Sequence, residues 1–118
     1  MQTSNAVGQY GEELASRYLT TQGLVILERN WRCPIGEIDI VAREGGTLVI
    51  CEVKTRRGLG YGSPLESITY RKLTTLRKLA GAWLRSHEVR PREVRIDFVA
   101  VLITPDAPPQ VDHLRGAA

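Results

Sequence analysis

Cysteine is scarce in this chain. Cys33 and Cys51 are the only two, and they lack the CxxC or Cys/His spacing of a zinc site. Neither a structural zinc nor a disulfide framework is indicated, and a reducing, cytoplasmic compartment is expected. Cys51 falls inside an apolar run, where it packs as a small hydrophobe. No basic start leads into an apolar segment, and no run approaches the length of a membrane span, so neither export nor a membrane partner is expected. Histidine is equally sparse. His87 and His113 are too isolated for metal or triad work and are expected at the surface. No repeat, low-complexity tract or long linker divides the sequence. A single domain is therefore expected over residues 1–118, with a flexible proline-rich tail from about residue 104.

What remains has the composition of an ordinary globular domain: 118 residues, 42% hydrophobic and 25% charged. That is enough to bury a core without staples. A net charge of +3 and a pI near 9.1 permit a polyanionic partner without demanding one.

Along the chain, Val7, Tyr10, Leu14, Ala15, Tyr18 and Leu19 recur at helical steps, so a helix is expected from Asn5 to about Thr21, capped by Ser4 or Asn5. Gly23 ends it. The run from Leu24 to Arg32 suits a strand, and the segment from Gly36 to Arg56 supplies two more. A glycine-rich loop, Arg57 to Pro64, leads to a second helix from Leu65 or Ser67 to Ser86. Its buried face carries Ile68, Leu73, Leu76, Leu79, Ala80 and Trp83, and its other face is basic. Val94 to Ile103 reads as a buried strand, and a short strand-like stretch, Val111 to Leu114, follows. This order predicts an α/β fold with a mixed central sheet.

The stretch "GEIDIVAREGGTLVICEVKTR" raises the functional question, because its apolar runs are interrupted by charges. If Gly45 and Gly46 form a two-residue turn, Glu44 faces Thr47. Counting back, Asp39 lies opposite Glu52 and Glu37 opposite Lys54. Opposed residues share a face, as do residues two apart, so this register gathers all four charges. Opposed like charges destabilise a sheet unless a cation compensates. Hard oxygen ligands suit Mg²⁺ or Mn²⁺, which keeps several waters and accepts a phosphate oxygen. The lysine two residues on would orient the attacking water and neutralise growing charge on the phosphate.

These motifs in this order, with a preceding acidic helix, resemble the PD-(D/E)xK superfamily of restriction-endonuclease-like nucleases, which includes Holliday-junction resolvases. Through "GQYGEELASRYL", "ILERNWRCPIGEIDIVA", "LVICEVKTR" and "YRKLTTLRKLAGAWL" the chain is similar to one small bacterial family within it, the YraN-like proteins. The resemblance covers nearly the whole chain. It implies a restriction-endonuclease-like three-layer fold, Asp39 and Glu52 as metal-binding acids, Lys54 as the catalytic lysine and Glu12 on the first helix as an additional acid. The proline of the superfamily's name is not at its formal place, where this chain reads Glu37-Ile38-Asp39, which leaves Asp39 in place.

The reading that follows is a Mg²⁺- or Mn²⁺-dependent endonuclease acting on nucleic acid, DNA before RNA. Asp39, Glu52, the main-chain carbonyl of Val53 and Glu12 hold the metal. Glu12 is preferred to its neighbour because Glu13 has Arg17 four residues on, a common surface pair. Glu37 either tunes Lys54 or merely pairs with it. Arg56, Arg57, Arg71, Lys72, Arg77 and Lys78 interleave with Tyr61 and Tyr70 as a phosphate-backbone surface would. A homodimer would be needed to cut both strands of a duplex. The alternative is a non-catalytic module that keeps the fold and binds nucleic acid or a partner.

Overall fold

A computed structural model describes residues 6–58 and 68–117. The expected helix caps Ser4 and Asn5, the loop tyrosine Tyr61 and the expected start of the second helix at Leu65 or Ser67 lie outside the described residues. Helix α1 runs Ala6–Thr21, strands β1 to β3 are Val25–Cys33, Gly36–Glu44 and Thr47–Arg57, helix α2 is Tyr70–Arg85, and strands β4 and β5 are Glu93–Ile103 and Gln110–Leu114. The five strands form one sheet in sequence order. Only β3 and β4 run parallel; the other neighbours are antiparallel. A parallel pair needs a long crossover, and α2 lies in it.

Strand alternation then sorts the core into two layers. Leu48, Ile50, Ile96 and Phe98 point to one face and pack with Leu76, Leu79, Ala80 and Trp83 of α2. Ile40, Ala42, Val49, Cys51, Val99 and Val101 point to the other and pack with Ala15 and Leu19 of α1. The sheet is thus covered on both sides, the three-layer α/β arrangement that the sequence predicts. Cys51 sits in the α1 layer, opposite in face to Glu52, and burial pushes its thiol pKa well up.

The hairpin has the expected register. Glu44 pairs with Thr47 across Gly45 and Gly46, and pairing continues to Ile40 against Cys51. There it stops, because β2 turns over at Asp39: Ile40 packs in the α1 layer, whereas Ile38 packs in the α2 layer. Regular alternation would have kept them on one side. Neighbouring Asn30 on β1 has φ 54, the left-handed region that asparagine tolerates better than most residues. The inner edge of the sheet is therefore opened between β2 and β3 where the charged residues lie.

The surface position expected for the histidines fails at His113 and holds only in part at His87, which is half-exposed. His113 has a side chain 2% exposed, and its Nε2 lies 2.8 Å from Asp97 Oδ2. His87 stacks on Trp83 with ring centroids 3.9 Å apart, and its Nε2 lies 2.9 Å from Glu28 Oε1. The carboxylates that hold them, Glu28 for His87 and Asp97 for His113, lie far off in the sequence, so the histidines' own neighbourhoods gave no sign of these partners.

Candidate active site

Strand β3 carries its apolar residues Leu48 and Ile50 under α2 and then, on the same face, Glu52 and Lys54. Glu52 is only 6% exposed, and a buried carboxylate needs a cation. It has two. Lys72 Nζ lies 2.9 Å from Glu52 Oε2, and Lys54 Nζ lies 4.0 Å from the same oxygen. Lys72 reaches it from the first turn of α2, whose start is fixed by Thr69: the Lys72 N–H donates to Thr69 Oγ1 at 3.1 Å.

Asp39 stands where β2 leaves the ladder. Its Oδ2 accepts the Val53 N–H at 2.8 Å, so a side-chain oxygen takes a place that a β2 carbonyl would hold in an unbroken sheet. Burial, with the nearby Glu52 charge, pushes Asp39 up to about 7, and Glu12 and Glu37 push the same way against the Val53 hydrogen bond. In a strand the N–H and C=O of one residue point to the same side. The Val53 carbonyl therefore faces the opened edge beside Asp39.

Glu12 comes from α1. Burial raises its pKa; the Asn30 side-chain hydrogen bond and the Arg29 charge oppose this, and Glu37 and Glu52 add to it. Its neighbour Glu13 turns outward, bridging Arg17 and Arg29 at 3.0 Å each. Helix α1 can bring Glu12 so close because Gly11 has no side chain: a Cβ there would overlap Thr55 Oγ1 and lie 2.8 Å from Thr55 Cβ.

Glu12, Asp39, Glu52, Lys54 and Lys72 thus converge on one end of the sheet. Glu37 belongs to its margin, paired with Arg32 at 3.5 Å rather than with Lys54, because the ladder has already parted. Arg56 and Arg57 end β3 just beyond the site. Arg71 and Lys78 lie exposed on α2, and Arg77 lines a separate cavity of about 500 Å³ between α2 and β4. Sequence reasoning missed Asn30, whose side chain hydrogen-bonds Glu12, and Arg29, whose charge lies near it. An asparagine inside a strand-like run was the available signal, since it marks a break in the pleat.

Hard oxygen donors are what the site offers to an ion: two carboxylates on adjacent strands and the carbonyl of Val53. Among the described residues no three Asp, Glu, His or Cys side chains are arranged to enclose an ion, so a third protein oxygen would be main chain. That mixture of few carboxylates with room for water suits Mg²⁺ or Mn²⁺ rather than zinc.

A model of the uncharacterised protein family UPF0102 matches residues 11–101. UPF0102 proteins of Beutenbergia cavernae and Acidothermus cellulolyticus are similar along nearly their full lengths. The first is 54% identical over 116 residues, 98% of either chain. The second is 52% identical over 122, covering 95% of this chain and 92% of that one. The UPF0102 protein of Kineococcus radiotolerans is 50% identical over 119, covering 100% and 98%. Among solved structures, the Holliday junction resolvase Hjc of Archaeoglobus fulgidus is similar at 20% identity and a TM-score of 0.47, over 89% of this chain and 75% of that one. Among the described residues, no helix is long and apolar enough to cross a membrane.

Proposed function

The chain belongs to the uncharacterised protein family UPF0102, the YraN-like family its motifs pointed to, and with that as premise we propose that it is a metal-dependent nuclease. It hydrolyses phosphodiester bonds of nucleic acid, DNA in the first instance. The observation that carries this reading is Asp39, a half-buried carboxylate whose Oδ2 accepts the Val53 N–H beside Glu52, and whose pKa partial desolvation and the Glu52 charge raise to about 7. Such crowding of acids beside a lysine costs stability, and active sites are where such costs are tolerated.

Asp39, Glu52 and the Val53 carbonyl would hold the ion, with Glu12 completing its surroundings. A bound Mg²⁺ or Mn²⁺ supplies a Lewis acid and a water acidic enough to attack near neutral pH. Lys54, on the same strand face as Glu52, orients that water and offsets the charge that grows on the phosphate. Glu12 would take up a proton from it, its pKa being raised by burial. Arg56, Arg57, Arg71, Lys72, Arg77 and Lys78 contact the phosphate backbone, which makes binding steeply salt-dependent. One such site cuts one strand, so a double-strand cut would take a homodimer.

The test is cleavage of labelled duplex, single-stranded, flapped and four-way DNAs by wild type and Lys54→Ala, with Mg²⁺, Mn²⁺ or EDTA. Metal-dependent cutting, reduced at least about a hundredfold in the variant while binding persists, is expected. Clear binding with no cutting under any metal would overturn the nuclease reading in favour of a binding module.

A further inference from the structure

Lys72 and Lys54 approach one carboxylate oxygen, Glu52 Oε2, at 2.9 and 4.0 Å. Two cations on a single oxygen are more than its charge requires. Beside them lies a cavity of about 270 Å³ lined by Lys54, Ile68, Thr69, Lys72 and Phe98, which among the described residues brings two ammonium groups and no carboxylate to its wall. Glu52 is buried, but both ammoniums keep water access, with side chains 40% and 49% exposed. The carboxylate is fixed and the cations are free to turn.

The choice of residue is also informative. Of 16 basic side chains, Lys54, Lys72 and Lys78 are the only lysines, so two of the three meet at this oxygen in a chain that otherwise uses arginine. An arginine would clamp the carboxylate through a planar fork. A lysine offers a compact charge on a flexible stem, which can leave.

A divalent cation bonds a carboxylate oxygen at about 2.1 Å, and the oxygen cannot hold it and an ammonium at contact distance together. We propose that Glu52 exchanges partners: the ion displaces Lys72 from Oε2, and Lys72 turns into the adjoining cavity, where with Lys54 it receives the substrate phosphate. The Thr69 cap holds the Lys72 backbone still, so only the side chain moves. Cation and phosphate then each favour the other's binding, because each stabilises the turned-out lysine, and the coupling is reciprocal. This rests on the nuclease reading above and adds to it a coupling by which each ligand binds more weakly alone than with the other.

The experiment follows the three lysine ammoniums by side-chain NMR of ¹⁵N-lysine-labelled protein, together with the Val53 amide that donates to Asp39. Signals are assigned with Lys→Arg variants. Mg²⁺ is titrated with and without thymidine 5′-monophosphate, which carries a phosphate but no diester to cut. The expected result is a shifted Val53 amide with loss of the Lys72–Glu52 signal on Mg²⁺, and a new Lys72 signal when the nucleotide is added. In calorimetry Lys72→Met should bind Mg²⁺ at least about fivefold tighter than wild type, with the nucleotide's effect on that affinity reduced by a similar factor. Lys72→Arg, which keeps the charge, should bind Mg²⁺ more weakly. If Mg²⁺ moves Val53 but leaves Lys72 on Glu52, the exchange is overturned and the metal site stands. If Mg²⁺ moves neither, the metal reading falls and the exchange with it.

Discussion

Asp39 is ordinary in type and unusual in placement. Its carboxyl is half-buried, and that desolvation, followed by the Glu52 charge close by, raises its pKa to about 7 against the Val53 hydrogen bond. A carboxyl whose folded value lies above its unfolded one binds its proton more tightly when folded. It therefore favours folding below about pH 4 and loses that contribution as pH rises toward 7. Asp39→Asn removes the titration while keeping the shape. In EDTA the variant should match wild type near pH 4 and exceed it by about 1–3 kcal/mol at pH 8, a figure reduced from the full linkage value because Asn is a weaker acceptor for Val53. Urea denaturation at the two pH values measures the difference. Equal stability at both would remove the charge strain from which the functional reading starts.

At the scale of elements, the site depends on how closely α1 crosses β3. Gly11 lies against Thr55, and any side chain there meets Thr55 Oγ1, Cβ and Cγ2. Gly11→Ala must therefore push the helix off the strand, and Glu12, the next residue, goes with it. The expected loss is about 2–3 kcal/mol, as for other overpacked contacts, with cleavage falling further than stability alone would explain. Thr55→Ala in the same chain should recover part of both, which separates lost space from lost glycine flexibility. Much of this arrangement was legible in the sequence. The Gly45-Gly46 pair set the hairpin register, and the Glu13–Arg17 spacing left Glu12 for the inner side. The break in β2 at Asp39 was missed, because it accompanies the left-handed backbone of Asn30 on the neighbouring strand, which no apolar pattern reports and only the asparagine itself hinted at. For the same reason Glu37 was expected opposite Lys54 and instead meets Arg32.

Over the whole molecule, the sheet is tied together at a second buried acid. Asp97 is fully buried in β4, inside a run that read only as apolar. Its partners come from elsewhere: Arg95 Nε at 2.8 Å, His113 Nε2 of β5 at 2.8 Å, and the Gly116 N–H at 3.0 Å. Arg95 and Arg115 both continue to Glu44 at 2.9 Å, so one carboxylate links β4 and β5 to the hairpin and the chain's end. Burial alone would raise the Asp97 pKa, but Arg95, the Gly116 amide and His113 outweigh it and hold the carboxyl below its usual range. Its contribution therefore has the opposite sign to that of Asp39: it is present above about pH 4 and lost as pH falls through the lowered folded value. Asp97→Asn leaves Arg95 and His113 without their buried partner and should cost about 3 kcal/mol at pH 7. In acid the gap between variant and wild type should close, because wild type then loses the charge too. Chemical denaturation from pH 7 to 3 follows that closure, while Mg²⁺ affinity, measured by calorimetry on the folded variant, should stay within about twofold, since neither Glu52 nor Asp39 contacts this cluster. A gap that stayed constant into acid would mean that Asn disturbs packing rather than charge, and the claim that this carboxylate ties the sheet electrostatically would fail.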